Sequence, residues 1–123
     1  ELDEGSTWEA VMLAGHLQTT NLTAVVDYNG IQSFGRVSEV LDLEPLVDKW
    51  RACRWRVSEI DGHDHGALHA ALDPPPGGAP HVVIAHTVKG KGVSFMEDRL
   101  EWHYRVAQGD LLDQALAELG GTA

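Results

Sequence analysis

The sequence predicts an α/β fold organised around a parallel sheet. Residues 22–26 are apolar or β-branched and Asp27 closes the run, while residues 81–85 form a second run of the same kind. Short continuous apolar runs closed by polar residues are typical of strands buried on both faces of a parallel sheet. Segments with helical spacing of apolar residues precede and separate these two runs, which is the alternation expected of an α/β domain.

The first helix is expected to begin at a capping box, in which Ser6 is the N-cap and Glu9 reaches back to it. Four residues then fall on one apolar helical face: Trp8, Val11, Met12 and Gly15.

Pro45 suits the first turn of a second helix. Cys53 lies on the apolar face of this helix, and we expect it to be a packed residue because no motif activates it as a nucleophile. Residues 55–60 alternate with period two, which predicts a shorter and more exposed strand. Asp64 is the predicted N-cap of a third helix over residues 66–72.

Residues 73–80 are rich in proline and glycine, so we expect a surface connector there. Residues 108–119 have leucine and alanine at helical spacing and predict an amphipathic helix at the end of the domain.

Asp27, Asn29 and Gly30 follow the first predicted strand. Ligands of open α/β sheets bind outside the carboxyl ends of the strands, so these residues are candidates for a binding site. The Asn29–Gly30 pair is also typical of a hairpin turn. Residues 31–37 do not alternate as a returning strand would, which favours the sheet-end interpretation.

Residues 32–39 are polar and contain a glycine, so they predict a surface loop. Phe34 is the one aromatic residue in this loop. We expect its ring to seal the loop against the core, and the alternative is that it covers a neighbouring cofactor pocket.

Lysines and glycines alternate in residues 88–97, directly after the second predicted strand. Glycines expose backbone amides and lysines add positive charge, so this segment is a candidate anion-binding loop. A flexible, solvated loop is an equally good interpretation. The glycine spacing is not that of a P-loop.

His65 and His69 are four residues apart on the third predicted helix, a spacing that can bind zinc. No glutamate follows in the pattern of a zinc protease, and Asp64 is better explained as a helix cap. The sequence therefore disfavours a zinc site.

The formal net charge of −10 argues against a nucleic-acid or anionic-membrane surface. Cys53 is the single cysteine, so no internal disulfide can form and a reducing, cytoplasmic location is expected. No apolar run approaches membrane-spanning length, and we expect no secretion leader. Because the chain begins at Glu1 and not at Met, we expect it to be a piece of a longer protein.

Four motifs follow one another along the chain. Residues 4–10 read Glu-Gly-Ser-x-Trp-Glu-Ala, and residues 27–31 read Asp-x-Asn-Gly-Ile. Residues 87–96 read Thr-x-Lys-Gly-x-Gly-Val-Ser-Phe-Met, and Trp102-His103 comes last. In this order the motifs resemble the thiamine-diphosphate-binding domain of transketolases, and the resemblance extends from Glu1 to about residue 108.

The resemblance implies a three-layer α/β/α fold with a mostly parallel sheet, of which residues 1–123 form a part. It further implies that thiamine diphosphate is held through Mg²⁺, with the Asn29 side chain and the Ile31 carbonyl as metal ligands. Asp27 and Gly30 are implied to bind the cofactor as well.

By the same resemblance, His103 is the catalytic residue, lying over the cofactor diphosphate and the substrate, and Glu4 belongs to a dimer contact. The family's Gly-Asp-Gly, whose aspartate is a further metal ligand, does not occur in this sequence. Tyr104 follows His103 where many relatives have glycine. We therefore expect this chain to be inactive alone.

The implied function is a transketolase reaction of the pentose phosphate pathway, the transfer of a two-carbon ketol unit between sugar phosphates. A pyrimidine-binding domain or subunit would complete the enzyme as a homodimer or heterotetramer. Two alternatives remain: the α subunit of a 2-oxo-acid dehydrogenase, and a degenerate interaction module that binds no cofactor.

Overall fold

The computed structural model of the chain describes residues 1–73 and 77–120. These form two compact units, the first of residues 1–28 and 41–87 and the second of residues 29–40 and those from 88 onward. The first unit contains α1 (Gly5–Leu17), β1 (Thr23–Tyr28), α3 (Leu46–Ala52), β4 (Arg56–Asp61), α4 (His65–Leu72) and β5 (His81–His86). The second contains β2 (Ile31–Gln32), β3 (Gly35–Arg36), α2 (Val37–Val40), a 3-10 helix (Leu100–His103) and α5 (Asp110–Glu118).

The sheet of the first unit has three parallel strands in the order β1-β5-β4. The chain crosses from β1 past β5 to β4 through α3, and returns to β5 through α4. Crossovers between parallel strands are almost always right-handed, so two crossovers in opposite directions place their helices on opposite faces. This arrangement confirms the predicted α/β fold with a parallel sheet.

The core of this unit lies along β5, whose first five residues are all buried. Both of its edges are hydrogen-bonded to neighbours, which confirms the prediction of a doubly buried strand. The same prediction for β1 is wrong, because β1 is an edge strand and its residues alternate between exposed and partly covered. Val25 is 55% exposed. An apolar run indicates that a strand can be buried, but it does not indicate whether other elements cover the strand.

Helix α1 packs against α3 through indole rings. The rings of Trp8 and Trp50 are 5.7 Å apart, and those of Trp50 and Trp55 are 4.8 Å apart. Trp55 Nε1 donates a 2.9 Å hydrogen bond to the Val11 carbonyl, which ties the start of β4 to the middle of α1. Met12 is 55% exposed, so only part of the predicted apolar face is covered.

The capping box predicted at Ser6 and Glu9 does not form. Helix α1 begins two residues earlier than expected, with Glu4 instead of Ser6 as the N-cap and no side chain capping the first turn. Thr7 Oγ1 instead donates to the Glu1 carbonyl at 2.8 Å, because the helix start turns this side chain back toward the preceding residues.

The other predictions for this unit agree with the structure more closely. Asp64 caps α4, since its Oδ1 accepts hydrogen bonds from two backbone N–H groups of the first turn. Cys53 is half-buried at the end of α3, and β4 is more exposed than β5. Residues 74–76, the proline run of the predicted connector, lie outside the described residues.

In the second unit, β2 and β3 form a short antiparallel ribbon, which pairs Ile31 with Arg36 and Gln32 with Gly35. The hairpin alternative for Asn29–Gly30 is wrong, because the turn of this ribbon lies four residues further on. Strand β1 pairs in parallel with β5.

The prediction of a surface loop over residues 32–39 is wrong in part, since this segment contains the end of β2, all of β3 and most of α2. Phe34 occupies the two-residue turn of the ribbon and is 85% exposed, so it does not seal the loop against the core. Two-residue strands are too short to produce a recognisable alternation, which is why the sequence pattern missed them. Helix α5 confirms the helix predicted over residues 108–119.

Replacing Gly15 by alanine should destabilise the first unit. A Cβ atom at this position would collide with the Cys53 carbonyl and lie 3.5 Å from the Trp55 ring. We expect the free energy of unfolding to fall by about 2 kcal/mol, the typical cost of overpacking, measured by chemical denaturation. Gly5→Ala is the matched control, since its Cβ would meet nothing within 4 Å. Equal stability of the two variants would contradict the packing described.

His81 should make the chain less stable in mild acid. It is 2% exposed, and burial, followed by the charge of Arg56, lowers its pKa. The unfolded chain takes up a proton near pH 6.5 and the folded chain only at lower pH, so the free energy of unfolding should fall as the pH drops below 6.5. In His81→Gln this loss should shrink, as measured by denaturation at several pH values. His16 is exposed, so His16→Gln is the control for the loss of one histidine. Parallel pH profiles for the two variants would contradict the conclusion that buried His81 causes the loss of stability in acid.

Candidate functional site

In the first unit, polar side chains gather where β1 and β5 end. Asp27 lies on the exposed face of β1, and its Oδ1 accepts a short hydrogen bond from Thr87 Oγ1. The Gly62 N–H donates to the His86 carbonyl at 2.7 Å. The ends of all three strands are thus joined at one edge of the sheet, the edge where α/β proteins bind ligands.

A row of four side chains crosses the same edge. Tyr28 donates a 2.6 Å hydrogen bond to Glu44 Oε1, and its ring meets the His86 ring edge-on at 5.3 Å. His86 in turn donates from Nε2 to Glu59 Oε1 at 2.8 Å. Burial, and then the hydrogen bond to Glu44, raise the pKa of Tyr28 to about 12. The hydrogen bond from Tyr28 lowers the pKa of Glu44, assisted by the Leu46 N–H.

In the second unit, Asn29 forms a turn with its own backbone. Its Oδ1 accepts a 3.0 Å hydrogen bond from the Ile31 N–H, and Gly30 between them has a positive φ of 72°. The Val37 N–H donates to the Gly30 carbonyl, so residues 30 and 37 form a hydrogen-bonded pair of the ribbon. Such pairs alternate with pairs that exchange no hydrogen bonds. Ile31 and Arg36 are the next pair, and the Ile31 carbonyl therefore points away from the ribbon.

His103 ends the 3-10 helix and lies beside the turn of the ribbon. Its Nε2 is 3.3 Å from Ser33 Oγ, and its ring meets the Tyr104 ring edge-on at 4.7 Å. Among the described residues, Nδ1 is buried without a hydrogen-bond partner. Trp102 Nε1 donates to the Phe95 carbonyl at 2.8 Å, which fixes the helix that carries His103.

An ion pair holds the ribbon to the loop that follows the lysines. Arg36 donates to both carboxylate oxygens of Asp98, at 2.5 and 2.7 Å. This hydrogen bonding lowers the pKa of Asp98 and raises the pKa of Arg36. A paired, two-point contact of this kind sets orientation as well as distance.

The lysine–glycine segment is folded into hydrogen-bonded turns. Glu97 Oε1 accepts from the Gly92 N–H at 2.9 Å and lies 3.8 Å from Lys91 Nζ. One backbone amide of this candidate anion-binding loop, that of Gly92, is therefore already donated to a carboxylate of the same loop. Gly90 has a φ of 72°, and a Cβ there would lie 2.7 Å from the Met96 carbonyl oxygen, so the loop requires this glycine. The flexible-loop interpretation does not describe such a segment.

The first unit also has a cavity of about 350 Å³ at the start of α1, lined by Leu2, Asp3, Trp8, Leu43 and Lys49 among others. Two hydrogen bonds connect residues of its lining: Trp8 Nε1 donates to the Leu2 carbonyl and Lys49 Nζ to the Leu43 carbonyl, both at 2.8 Å.

The predicted site residues fall into two groups. Asn29, Gly30, Ile31 and His103 belong to the second unit, where Ser33 connects the ribbon to His103. Asp27 and Glu4 belong to the first unit, at the end of β1 and at the N-cap of α1.

Sequence reasoning missed Ser33, which stands in no motif, and Tyr28, which is the variable position of the motif at residues 27–31; each is recognised only by its tertiary partner. It also missed Thr87 as the partner of Asp27, although Thr87 opens the lysine–glycine motif at the strand end.

In residues 1–73 and 77–120, no group of three or more His, Cys, Asp and Glu side chains converges as a metal site. None of the helices in this part of the chain is both long and apolar enough to cross a membrane.

Comparison with known proteins gives consistent results. Residues 1–120 match the family described as transketolase, thiamine diphosphate binding domain. The chain is 43% identical over 120 residues to an apulose-4-phosphate transketolase subunit of Actinobacillus succinogenes, covering 97% of this chain and 44% of that protein. It is 41% identical over 121 residues to 6-deoxy-6-sulfo-D-fructose transketolase subunit SqwG of Clostridium sp. strain MSTE9, with coverage of 97% and 44%.

Among solved structures, a transketolase from Campylobacter jejuni superposes with a TM-score of 0.91 at 27% identity, covering 98% of this chain and 19% of that one. This chain spans less than half the length of the two transketolase subunits named above.

The phenol of Tyr28 should ionise far above its ordinary value. In a Tyr104→Phe background, where Tyr28 is the single tyrosine, ultraviolet titration should give a pKa of about 12. Because the folded pKa is raised, the stabilisation by this contact is complete below pH 10 and lost as the pH rises from 10 to 12. Glu44→Gln should move the ionisation part of the way back. An ionisation near pH 10 in the folded chain would contradict the hydrogen bond.

Proposed function

Because the chain belongs to the thiamine-diphosphate-binding domain family of transketolases, we propose that it is part of an enzyme that transfers a two-carbon ketol unit between sugar phosphates, with thiamine diphosphate and Mg²⁺ as cofactors. The observation that carries this proposal is the turn at Asn29–Ile31, which follows directly on a parallel strand and directs a carbonyl away from the ribbon. Residues 1–123 act as one part of the cofactor-binding domain.

The residues of the second unit fit a magnesium–diphosphate group. Mg²⁺ binds oxygen ligands and in phosphate sites takes only one or two from the protein, with the remainder supplied by phosphate and water. Asn29 contributes an amide oxygen and Ile31 a carbonyl oxygen, and Gly30 between them has open space where a Cβ would stand. Both ligands are neutral, so the negative charge that Mg²⁺ requires would come from the diphosphate.

His103, beside Ser33 in the second unit, supports the same proposal. Its buried Nδ1 lacks a partner among the described residues, and buried polar atoms without partners are common at functional sites. The role proposed for His103 is to place a hydrogen-bond donor at an oxygen of the diphosphate or substrate. By the family resemblance Asp27 is also a proposed cofactor-binding residue, and its carboxylate accepts a hydrogen bond from Thr87.

When bound, thiamine diphosphate supplies the electron sink that allows a carbon–carbon bond beside a carbonyl group to break. The chain contributes binding and orientation. Asn29 and Ile31 hold the metal, Gly30 permits the diphosphate to approach the backbone, and His103 places a hydrogen-bond donor at a ligand oxygen. Phe34, exposed at the turn of the ribbon, is available to exclude water from a completed site.

The partner implied by this proposal is a pyrimidine-binding domain or subunit. Two of the relatives are named as transketolase subunits, and the chain spans less than half their length. We propose that the active enzyme is a homodimer or heterotetramer, with Glu4 in the dimer contact, and that its substrates are sugar phosphates or related ketoses. We further propose a cytoplasmic location and a role in sugar-phosphate metabolism, such as the pentose phosphate pathway.

The family match favours a transketolase over the α subunit of a 2-oxo-acid dehydrogenase. The absence of Gly-Asp-Gly from the sequence favours one other candidate, a degenerate module that folds and associates without cofactor.

Calorimetric titration distinguishes the enzyme part from the degenerate module. Thiamine diphosphate and Mg²⁺ are titrated into the chain as it stands and into the chain with an added N-terminal extension that contains Gly-Asp-Gly. The extension supplies the missing carboxylate, so we expect heat release from the extended chain, abolished by omitting Mg²⁺. Silence from both proteins would contradict the proposed function and support the degenerate module.

Asn29 should contribute strongly to the affinity for magnesium–thiamine diphosphate. In the extended chain, Asn29→Ala removes a metal ligand and the side-chain acceptor of the turn, so affinity should fall at least about tenfold. Asn29→Asp is the matched control, because it retains an oxygen that accepts from the Ile31 N–H and can bind Mg²⁺. If Asn29→Ala binds as tightly as the unmodified extended chain, Asn29 is not a metal ligand.

A further inference from the structure

Ser33 and His103 come from different segments of the second unit and meet at the turn of the ribbon. The ribbon is held by the Arg36–Asp98 ion pair, and the 3-10 helix by the hydrogen bond of Trp102. Both supports are independent of the Ser33–His103 contact. The 3.3 Å distance between Ser33 Oγ and His103 Nε2 is therefore set by the surrounding structure.

The environment of His103 decides which nitrogen carries the proton. A neutral imidazole has one N–H and one lone pair. Nδ1 is buried without a partner among the described residues, and a buried N–H without an acceptor is rarer in proteins than an under-satisfied acceptor. The proton therefore belongs on Nε2, and Nε2–H donates to the Ser33 hydroxyl oxygen.

This direction of the hydrogen bond determines what Ser33 can do. A hydroxyl that accepts one hydrogen bond still has its own proton to donate. No described residue other than His103 forms a hydrogen bond with Ser33 Oγ. Accepting from the imidazole also polarises the hydroxyl and strengthens it as a donor.

We infer that His103 acts through Ser33: the imidazole donates from Nε2 to Ser33 Oγ, and the Ser33 proton is donated to an anionic oxygen of the bound ligand. The inference rests on the proposed function, since it assigns the contact at the same site. Ser33 is then the residue that touches the ligand, and His103 is its positioning residue. Phosphate oxygens are the acceptors that such a charge-assisted donor suits best.

The hydrogen bond itself is tested on the 123-residue chain without cofactor. Nitrogen-15 NMR of the imidazoles, with the His103 signals identified by their loss in His103→Gln, should show protonated Nε2 with a proton protected from solvent exchange. Ser33→Ala should remove this protection, and Ser33→Thr, which keeps the hydroxyl, should retain it. Protonation on Nδ1, or unchanged protection in Ser33→Ala, would overturn the inference.

The ligand contact is tested by calorimetry on the extended chain with magnesium–thiamine diphosphate as the probe. Ser33→Ala should bind about tenfold more weakly, whereas Ser33→Thr should bind within about threefold of the unmodified chain. Because His103 acts through Ser33, the double variant Ser33→Ala/His103→Gln should lose no more affinity than Ser33→Ala alone. Additive losses, or unchanged binding by Ser33→Ala, would overturn the inference.

The two failures are distinguishable. If the unmodified extended chain does not bind the probe, the proposed function fails and the ligand contact of Ser33 fails with it. The NMR experiment requires no ligand and still decides whether Ser33 and His103 form the pair. Binding of the probe together with unchanged affinity in Ser33→Ala leaves the proposed function intact and rejects the role of Ser33.

Discussion

Strand β5 is hydrogen-bonded along both of its edges, and the arrangement of the first unit depends on this double pairing. The register that pairs Tyr28 with His86, and His86 with Asp61, ends all three strands at one edge of the sheet. Residues far apart in sequence can then form hydrogen bonds there, as Asp27 does with Thr87. Along the chain, the two segments of the second unit begin directly after the segments that contain β1 and β5.

Polar contacts at this edge and in the second unit follow a common pattern. Each joins a residue of one chain segment to a residue of another: Tyr28 to Glu44, Arg36 to Asp98 and Ser33 to His103. Within the second unit, the contacts of Arg36 and Ser33 order the segment that follows Asn29 and Ile31 without using either residue. In the proposed site, these paired groups of the second unit accompany two neutral oxygen ligands, which suits a ligand that brings its own charge, as a diphosphate does.

The sequence predicted those features that depend on local chemistry. The doubly buried strand β5, the Asp64 cap and helix α5 were all predicted correctly, because an apolar run, a capping residue and helical periodicity act over a few neighbouring residues. The order of the motifs also indicated the transketolase family, which the family match confirms. The capping box predicted at Ser6 is wrong, because Glu4 is the N-cap and Thr7 Oγ1 donates to the Glu1 carbonyl.

Tertiary structure alone decided which surfaces are covered and which side chains meet. Strand β1 resembles β5 in composition, yet it lies at the edge of the sheet among the described residues and exposes one face, since burial depends on neighbours that a local pattern does not encode. Ser33 stands in no motif, and it acquires a role only because the ribbon and the 3-10 helix bring it to His103. The amino-acid sequence by itself determined the longer helices and strands and the family motifs. The hydrogen-bond partners of His103, Tyr28 and Asp27 were set by chain packing, because residues far apart in sequence meet only once the chain is folded.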